Sequence, residues 1–187
     1  EQYDLFMKWY RRLPPAPRGF CNSSAIFRDN EYHLEFCRPG FALWGGNPTP
    51  ETTNPMRSVV TLKAKVLQVR DIDEPQTVGY GASWQAKRKT KIATIAVGYA
   101  DGWLRSLSNS GKLLIKGHAV PYVGRVSMDA ITVDITDLPG KPLKAGDMVP
   151  LLDDKMTVDD VASAAGTIGY EILTSLGHRY RRVYTES

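Results

Sequence analysis

The sequence predicts a mixed fold, in which a short α/β segment is followed by a mainly β domain. Residues 1–46 alternate between helical and extended patterns, and residues 45–55 are rich in glycine, proline, threonine and asparagine. From residue 56 onward, β-branched and polar side chains alternate in several runs separated by turn residues. The first pattern is typical of α/β units, and the last is typical of antiparallel barrels and sandwiches.

The α/β segment begins with a predicted helix over residues 1–13, because Leu5, Trp9 and Leu13 recur at helical spacing before a run of prolines. A second helix is expected to start at Asn22, whose side-chain oxygen can cap free amides. Residues 31–37 are predicted to be a strand that ends at Arg38. Two such units cannot close a barrel, so the sequence indicates that the chain begins inside a domain.

The mainly β domain is predicted from its alternating runs and its turns. The expected strands are residues 58–69, 91–97, 113–115, 120–126 and 131–135. Near the end, Thr157 is a predicted N-cap for a short helix that Gly166 stops. A second helix is expected over residues 167–176.

Composition and charge exclude several classes of protein. The 187 residues carry a formal net charge of +4, but the basic residues are spread out rather than gathered in a stripe with aromatics, which argues against nucleic-acid binding. No apolar run approaches the ~20 residues that cross a bilayer. Two cysteines make no disulfide framework. We therefore expect a cytoplasmic globular protein without a metal site.

Two short segments of the α/β region could bind an anion or a cofactor. Asn22-Ser23-Ser24 lies at a predicted helix start, where backbone amides can bind an anion. Arg38-Pro39-Gly40-Phe41 places an arginine at a strand end, followed by a glycine that lets the backbone approach a ligand. Taken alone, the first segment is more often a plain cap, and the second is more often a turn with a solvated arginine.

Two segments of the β domain also combine polar groups with a predicted strand end. Tyr99 follows the apolar strand of residues 91–97 and precedes a turn, so its hydroxyl could project into a cleft as an acid or base. The alternative is a buried tyrosine that makes one structural hydrogen bond. The segment from Gly124 to Asp129 places charged groups within a predicted core strand, where they need partners or a function.

In their order and spacing, eight segments resemble alanine racemases over essentially the whole chain. They are Asn22-Ser23-Ser24, Arg38-Pro39-Gly40-Phe41-Ala42-Leu43-Trp44-Gly45, Val59-Val60-Thr61-Leu62-Lys63-Ala64, Val78-Gly79-Tyr80-Gly81-Ala82, Val97-Gly98-Tyr99-Ala100-Asp101-Gly102, Val123-Gly124-Arg125-Val126-Ser127-Met128-Asp129, Thr157-Val158-Asp159-Asp160 and Gly169-Tyr170-Glu171-Ile172. The resemblance implies that residues 1–46 are the last units of a (β/α)8 (TIM) barrel that binds pyridoxal 5′-phosphate. It further implies a linker at residues 47–55 and a C-terminal β-rich domain at residues 56–187.

The resemblance implies a two-base racemization of L- and D-alanine, which supplies D-alanine for peptidoglycan. One base is the Schiff-base lysine, and the other is a tyrosine from the second subunit of a homodimer with shared active sites. Tyr99 is matched to that tyrosine. Arg38 is matched to the arginine that donates to the pyridine nitrogen, and an arginine cannot give up its proton to that nitrogen.

The remaining site residues also follow from the resemblance. Asn22 and Ser23, with the amides of Gly40 and Phe41, are matched to the phosphate site, which suits the loops after the last barrel strands. The residues matched to the alanine carboxylate side are Arg125, Met128 and Asp129.

The sequence departs from the family pattern in two respects. Where many members have a tyrosine that contacts the phosphate, this sequence has His178, with Tyr180 two residues later. None of its lysines falls in the Schiff-base motif, so the chain alone is expected to be inactive and to need the N-terminal barrel half. Two alternatives remain: a non-catalytic dimerisation module, and a racemase for serine or for a broader set of amino acids.

Overall fold

Two units, divided between Val59 and Val60, make up the computed structural model, which describes residues 1–186. The second unit is mostly antiparallel β-structure, which confirms the mainly β part of the predicted fold. The first unit contains short helices and turns, and its origin in a (β/α)8 barrel stays a prediction.

The first unit contains helix α1 (Gln2–Tyr10) and helix α2 (Ser23–Ile26). The predicted helix over residues 1–13 therefore ends earlier than expected, and residues 11–13 form a turn. An aromatic cluster packs α1 onto the rest of the unit, with the Tyr3 and Phe20 rings 5.5 Å apart. Hydrogen bonds from Arg18 to Glu35 join two segments of this unit that are distant in sequence. They lower the pKa of Glu35 to about 2.

The prediction of a strand at residues 31–37 is wrong. Asn30–Tyr32 form a 3₁₀ turn, which Asp29 caps by accepting a hydrogen bond from the Glu31 amide at 2.9 Å. Leu34 then adopts φ +50°, which a strand cannot accommodate. Extended pairing begins only at Arg38, which makes a parallel bridge with Asn22. A side-chain cap offers the backbone an alternative partner, and the apolar pattern did not reveal this competition.

The second unit is built around a long strand, β1 (Leu62–Ile72). The other strands of this unit, within the described residues, are β2 (Thr77–Val78), β3 (Trp84–Gln85), β4 (Thr90–Ile95), β5 (Lys112–Ile115), β6 (His118–Pro121), β7 (Ile131–Asp134) and β8 (Met148–Leu152). The main sheet has the order β7-β4-β1-β8, and every pair is antiparallel.

Strand β1 is shared between two partners, which curls the main sheet. Residues 62–65 pair with β8, whereas residues 66–72 pair with β4. The register shifts between Val66 and Gln68, as expected for a bulge, which bends a strand and increases its twist. The burial of Val66 and Ile92 places the hydrophobic core against this sheet.

The strand predicted at residues 120–126 ends at Pro121, where β6 ends, and the rest of that segment is loop. The reason lies at Gly124, which has φ +84° and lies so close to Val78 that an added Cβ would be 2.8 Å from the Val78 carbonyl oxygen. A strand cannot continue through such a residue. Its polar neighbours therefore lie in a loop and not within a core strand.

The predicted C-terminal helices are present as α3 (Val158–Ala165) and α4 (Gly169–Ser175). Thr157 caps α3 as expected, and Asp160 accepts a hydrogen bond from the Thr157 amide at 2.9 Å. Gly166 ends the helix in the left-handed conformation, as predicted.

Replacing Thr157 by alanine removes this cap, and we expect the free energy of unfolding to fall by about 1 kcal/mol. Ser163→Ala is the matched control, because Ser163 is exposed on the same helix and alanine is the better helix former. Urea unfolding of both variants measures the difference. Equal stability of the two variants would contradict the capping role.

Candidate functional site

Ser23 and Gly40, which the family resemblance assigned to one phosphate site, are in contact in the first unit. The Ser23 side chain is buried, and its Oγ accepts hydrogen bonds from the backbone amides of Gly40 at 3.0 Å and Ala42 at 3.3 Å. A hydroxyl has two acceptor lone pairs and one proton, so the Ser23 proton remains available for donation. Beside Gly40, an added Cβ would meet no atom within 4 Å. The local space is therefore open to a ligand.

Arg38 is held by backbone carbonyl oxygens. Its guanidinium donates to the Gly19 oxygen at 2.6 Å and to the Phe20 oxygen at 3.3 Å. Within residues 1–186 its charge forms no salt bridge with a carboxylate. A guanidinium has five N–H groups, so donors remain for a ligand.

The other two residues matched to the cofactor have structural roles in the same unit. The Asn22 side chain accepts a hydrogen bond from the Ala25 amide at 3.0 Å and thereby caps α2. Phe41 is buried, and its ring lies so close to Gly46 that an added Cβ there would be 2.0 Å from Cζ. Asn22 therefore acts as the cap that the sequence analysis weighed as an alternative, and Phe41 packs in the local core.

In the second unit, Tyr99 and Met128 lie on two loops that are joined by backbone hydrogen bonds. The Tyr99 amide donates to the Ser127 oxygen and the Ala100 amide donates to the Met128 oxygen, both at 3.0 Å. A Cβ on Gly98 would be 2.3 Å from the Met128 oxygen, so only glycine permits this approach. The structure thus brings together two segments that are separated by about thirty residues.

A network of charges fixes the same loops. The buried carboxylate of Asp101 accepts a hydrogen bond from the Gly98 amide at 2.8 Å. Arg179 contacts Asp101 at 3.3 Å and Asp129 at 2.8 Å, so the Asp129 carboxylate is already paired. His178 and Tyr180 are the two residues near the position where many family members have a phosphate-contacting tyrosine. His178 is exposed, whereas the Tyr180 hydroxyl is buried without a hydrogen-bond partner in residues 1–186. Burial and the charge of Asp101 raise the pKa of Tyr180.

An open pocket of about 580 Å³, the tyrosine pocket, lies on these loops of the second unit. Its lining residues are Tyr80, Tyr99, Arg105, Arg125, Val126 and Ser127. Tyr80 and Tyr99 are 73% and 44% exposed, and neither hydroxyl makes a hydrogen bond within residues 1–186. The structure thus places the predicted Tyr99 and Arg125 in one pocket, and it adds a second tyrosine.

Tyr80 lies on the turn between β2 and β3, flanked by glycines at positive φ. A Cβ on Gly81 would be 3.4 Å from the Arg125 guanidinium carbon, so positive charge lies against this turn. Val78 and Ala86 anchor the hairpin in a buried cluster. The base of the hairpin is thus buried, while the Tyr80 side chain at its tip is exposed.

Arg105 and Arg125 also line a neighbouring pocket of about 600 Å³. Neither arginine forms a salt bridge in the described part of the chain. Asn109 holds these loops together, because its side chain accepts from the Gly124 amide at 2.7 Å and donates to the Ser83 hydroxyl at 3.3 Å. Two unpaired cations beside two exposed tyrosines can bind the carboxylate of a small acid and move a proton.

Neither Tyr80 nor Arg105 was among the site residues predicted from the sequence. Tyr80 lies in one of the eight segments that resemble alanine racemases. Its position between two glycines was the feature of the sequence that could have indicated an exposed turn. No helix within residues 1–186 has the length and apolar character needed to cross a membrane. In the same residues, no three His, Cys, Asp or Glu side chains converge as metal ligands would.

Comparison with known proteins gives consistent results for sequence and structure. Residues 59–184 match the family described as "Alanine racemase, C-terminal domain". The chain is 49% identical over 184 residues to the alanine racemase of Rhodospirillum rubrum, and 51% identical over 184 residues to a protein of Mesorhizobium japonicum named "Alanine racemase, catabolic". Each alignment covers 98% of this chain, and 49% and 48% of the two relatives respectively.

Solved structures show the same likeness. The alanine racemase of Bartonella henselae, whose structure contains covalently bound pyridoxal phosphate, superposes with a TM-score of 0.92 at 43% identity. That comparison covers 98% of this chain and 51% of the other. The alanine racemase of Pseudomonas aeruginosa gives a TM-score of 0.87 at 34% identity, over 95% and 50% of the two chains. The chain therefore spans about half the length of the relatives that it matches.

Proposed function

The chain belongs to the alanine racemase family, and on that basis we propose that it is the C-terminal part of a racemase that interconverts L- and D-alanine. The proposed cofactor is pyridoxal 5′-phosphate. The observation that carries the proposal is the tyrosine pocket, where two exposed tyrosines adjoin two arginines without carboxylate partners. Such a pocket can bind a carboxylate and transfer a proton nearby.

The residues of the first unit fit the proposed cofactor. The buried Ser23 hydroxyl has a proton left to donate to a phosphate oxygen, and the space beside Gly40 is open. Arg38 would donate to the ring nitrogen and keep that nitrogen unprotonated, because a guanidinium does not release its proton. When bound, pyridoxal phosphate supplies an electron sink that makes the α-proton of the amino acid acidic.

We expect Ser23→Ala to weaken cofactor binding by the full-length protein roughly 10- to 100-fold, because a hydrogen bond to a charged group is worth about 1.5–3 kcal/mol. Ser24→Ala is the matched control, since Ser24 donates to the Pro48 oxygen at 2.6 Å instead. Fluorescence titration of the apoenzyme with pyridoxal phosphate measures both. Wild-type affinity in Ser23→Ala would remove this residue from the phosphate site.

For the proton-transferring tyrosine we favour Tyr80 over Tyr99, to which the sequence analysis gave this role. Tyr80 is the more exposed of the two, at 73% against 44%. Its hydroxyl can therefore extend farther toward a substrate bound outside this unit. Tyr99 is tied by its backbone to Ser127, which suits a residue that shapes the pocket. Its catalytic role remains the competing hypothesis.

The substrate carboxylate is proposed to lie on the arginine side of the tyrosine pocket. Arg125 is exposed and has no carboxylate partner in residues 1–186, so its guanidinium can bind the carboxylate of the substrate. Met128 and Asp129 complete this side, as the resemblance suggested. Arg179 neutralises the Asp129 carboxylate at 2.8 Å, which prevents it from repelling the substrate.

The whole reaction needs groups beyond this chain. The cofactor lysine is proposed to come from the N-terminal barrel half, and the tyrosine to act in the active site of the other subunit of a homodimer. A cytoplasmic location belongs to the same proposal. The N-terminal residues 1–46, as the end of the barrel, and residues 47–55, as the linker, likewise remain proposed.

An assay of the full-length protein with pyridoxal phosphate tests the function. We expect chiral chromatography to show that L- and D-alanine interconvert, and faster than the serine enantiomers. Preference for serine would favour the broader or serine-specific racemase. Absence of racemization in a folded, cofactor-loaded protein would favour the dimerisation module.

The physiological direction has two candidates. Supply of D-alanine to peptidoglycan is the first. The second is breakdown of alanine, which the name of the 51% identical Mesorhizobium relative suggests. Deletion of the gene separates them, because the first predicts a requirement for D-alanine and the second predicts poor growth on alanine as carbon source.

A further inference from the structure

Two cysteines lie side by side where the predicted phosphate and ring-nitrogen residues meet. Asn22 and Arg38 form a parallel bridge, and the Arg38 amide donates to the Cys21 oxygen at 2.8 Å. Cys21 precedes one bridged residue and Cys37 precedes the other. In parallel pairing these two positions are lateral neighbours on one face, and the paired chains are ~4.8 Å apart.

The two thiols also converge on one turn. The Cys21 Sγ donates to the Tyr32 oxygen at 2.7 Å, and the Cys37 Sγ donates to the oxygen of the next residue, His33, at 3.6 Å. Burial raises the pKa of the Cys21 thiol, and the charge and hydrogen bond of Cys37 raise it further. Both cysteines are free thiols; Cys21 is fully buried and Cys37 is partly exposed.

We propose that Cys21 and Cys37 form an oxidisable dithiol that a peroxide converts to an intrachain disulfide. Cys37 reacts first, because it is the more exposed thiol. Its thiolate sulfur attacks one peroxide oxygen, the O–O bond breaks, and hydroxide leaves as water with the thiol proton. The Cys21 sulfur then attacks the resulting sulfenic acid, the S–O bond breaks, and a second water leaves. Two thiols are oxidised and hydrogen peroxide is reduced to two waters.

Closing the disulfide changes the neighbouring residues. Disulfides join residues whose Cα atoms are about 4.4–6.8 Å apart, and the ~4.8 Å spacing of paired chains lies within that range. The bridge can therefore close at the existing chain spacing, but it removes both S–H donors to the Tyr32–His33 turn. Ser23 and Arg38 lie within two residues of these cysteines. Since the proposed function places the cofactor on them, we expect oxidation to weaken cofactor binding several-fold.

The test uses the full-length holoenzyme, freed of reductant and treated with hydrogen peroxide. Trypsin separates the cysteines into fragments 19–28 and 29–57, because cleavage at Arg38 is blocked by the following proline. We expect mass spectrometry to show the two fragments linked, with a mass lower by two hydrogen atoms than their sum. Dithiothreitol should separate them and restore cofactor binding measured by fluorescence.

Single variants separate the steps. Cys37→Ser should form no linked species, whereas Cys21→Ser should leave a Cys37 sulfenic acid that dimedone traps. Oxidation of wild-type Cys37 to sulfinic acid without linkage, or linkage only between subunits, would overturn the proposal. Linkage without any change in cofactor affinity would overturn the coupling to the cofactor. If the reduced protein bound no cofactor while the linked species still formed, the proposed function would fail and the dithiol would stand.

Discussion

Tyr80→Phe in the full-length protein is expected to slow alanine racemization by about 10²–10⁴-fold in both directions, because a positioned acid–base group contributes a factor of this size. Phenylalanine retains the ring and removes only the hydroxyl, which makes no hydrogen bond within the described residues. Folding should therefore be unchanged. Coupled assays of both directions, with circular dichroism as a check of folding, measure the effect.

Tyr99→Phe is the matched variant from the same pocket, and it should reduce the rate of racemization much less. Exchange of the α-hydrogen with deuterated solvent sharpens the comparison. In the two-base scheme implied by the family resemblance, the tyrosine acts on L-alanine and the lysine on D-alanine. Tyr80→Phe should thus lose exchange from L-alanine and retain it from D-alanine. If Tyr99→Phe showed this asymmetry instead, the original assignment of Tyr99 would be correct.

Gly102→Ala is expected to destabilise the protein by about 4 kcal/mol or more, which is exceptional for one methyl group. Gly102 has φ +87°, and a Cβ there would be 1.7 Å from the Ser175 carbonyl oxygen. Both sides of this contact are backbone, so no side chain can rotate away. The end of α4 and the turn of Tyr99 would have to separate, and the midpoint of thermal unfolding should fall by on the order of ten degrees.

Gly166→Ala separates steric overlap from conformational strain. Gly166 also has positive φ, at +71°, but an added Cβ would meet nothing within 4 Å. The free energy of unfolding of Gly166→Ala should fall by about 1 kcal/mol, which is the cost of the left-handed conformation alone. Calorimetry of the two variants gives the difference. Equal destabilisation would show that the chain around Gly102 relaxes and that the contact with Ser175 is soft.

Features that depend on local chemistry could be predicted from the sequence. Thr157 and Asn22 cap helices, and Gly166 ends one, because these roles involve residues within a few positions of each other. The β1 and β4 patterns were also recognised, although their ends differ by a few residues. Alternating burial over many residues is a strong signal, because it does not depend on distant partners.

Features that depend on distant contacts could not be predicted. Strand β8 was missed because Pro150 interrupts its pattern, yet β8 is an edge strand, where proline is tolerated. The strand expected through Gly124 fails because Val78 lies against it. Tyr80 was not predicted as a site residue because it joins Tyr99 in one pocket only through a distant contact. That contact is the packing of the β2–β3 hairpin near Arg125.

The shared strand β1 sets the order in which the second unit can form during synthesis. Its later half pairs with β4, which leaves the ribosome soon afterwards, but its first half pairs with β8, more than eighty residues later. Loop closure over that distance is slow, and domains fold as units once their last partner is available. Until Leu152 emerges, residues 62–65 present an open strand edge to other nascent chains. A translational pause before Leu152 has left the ribosome should therefore increase aggregation, whereas a pause after it has left should not.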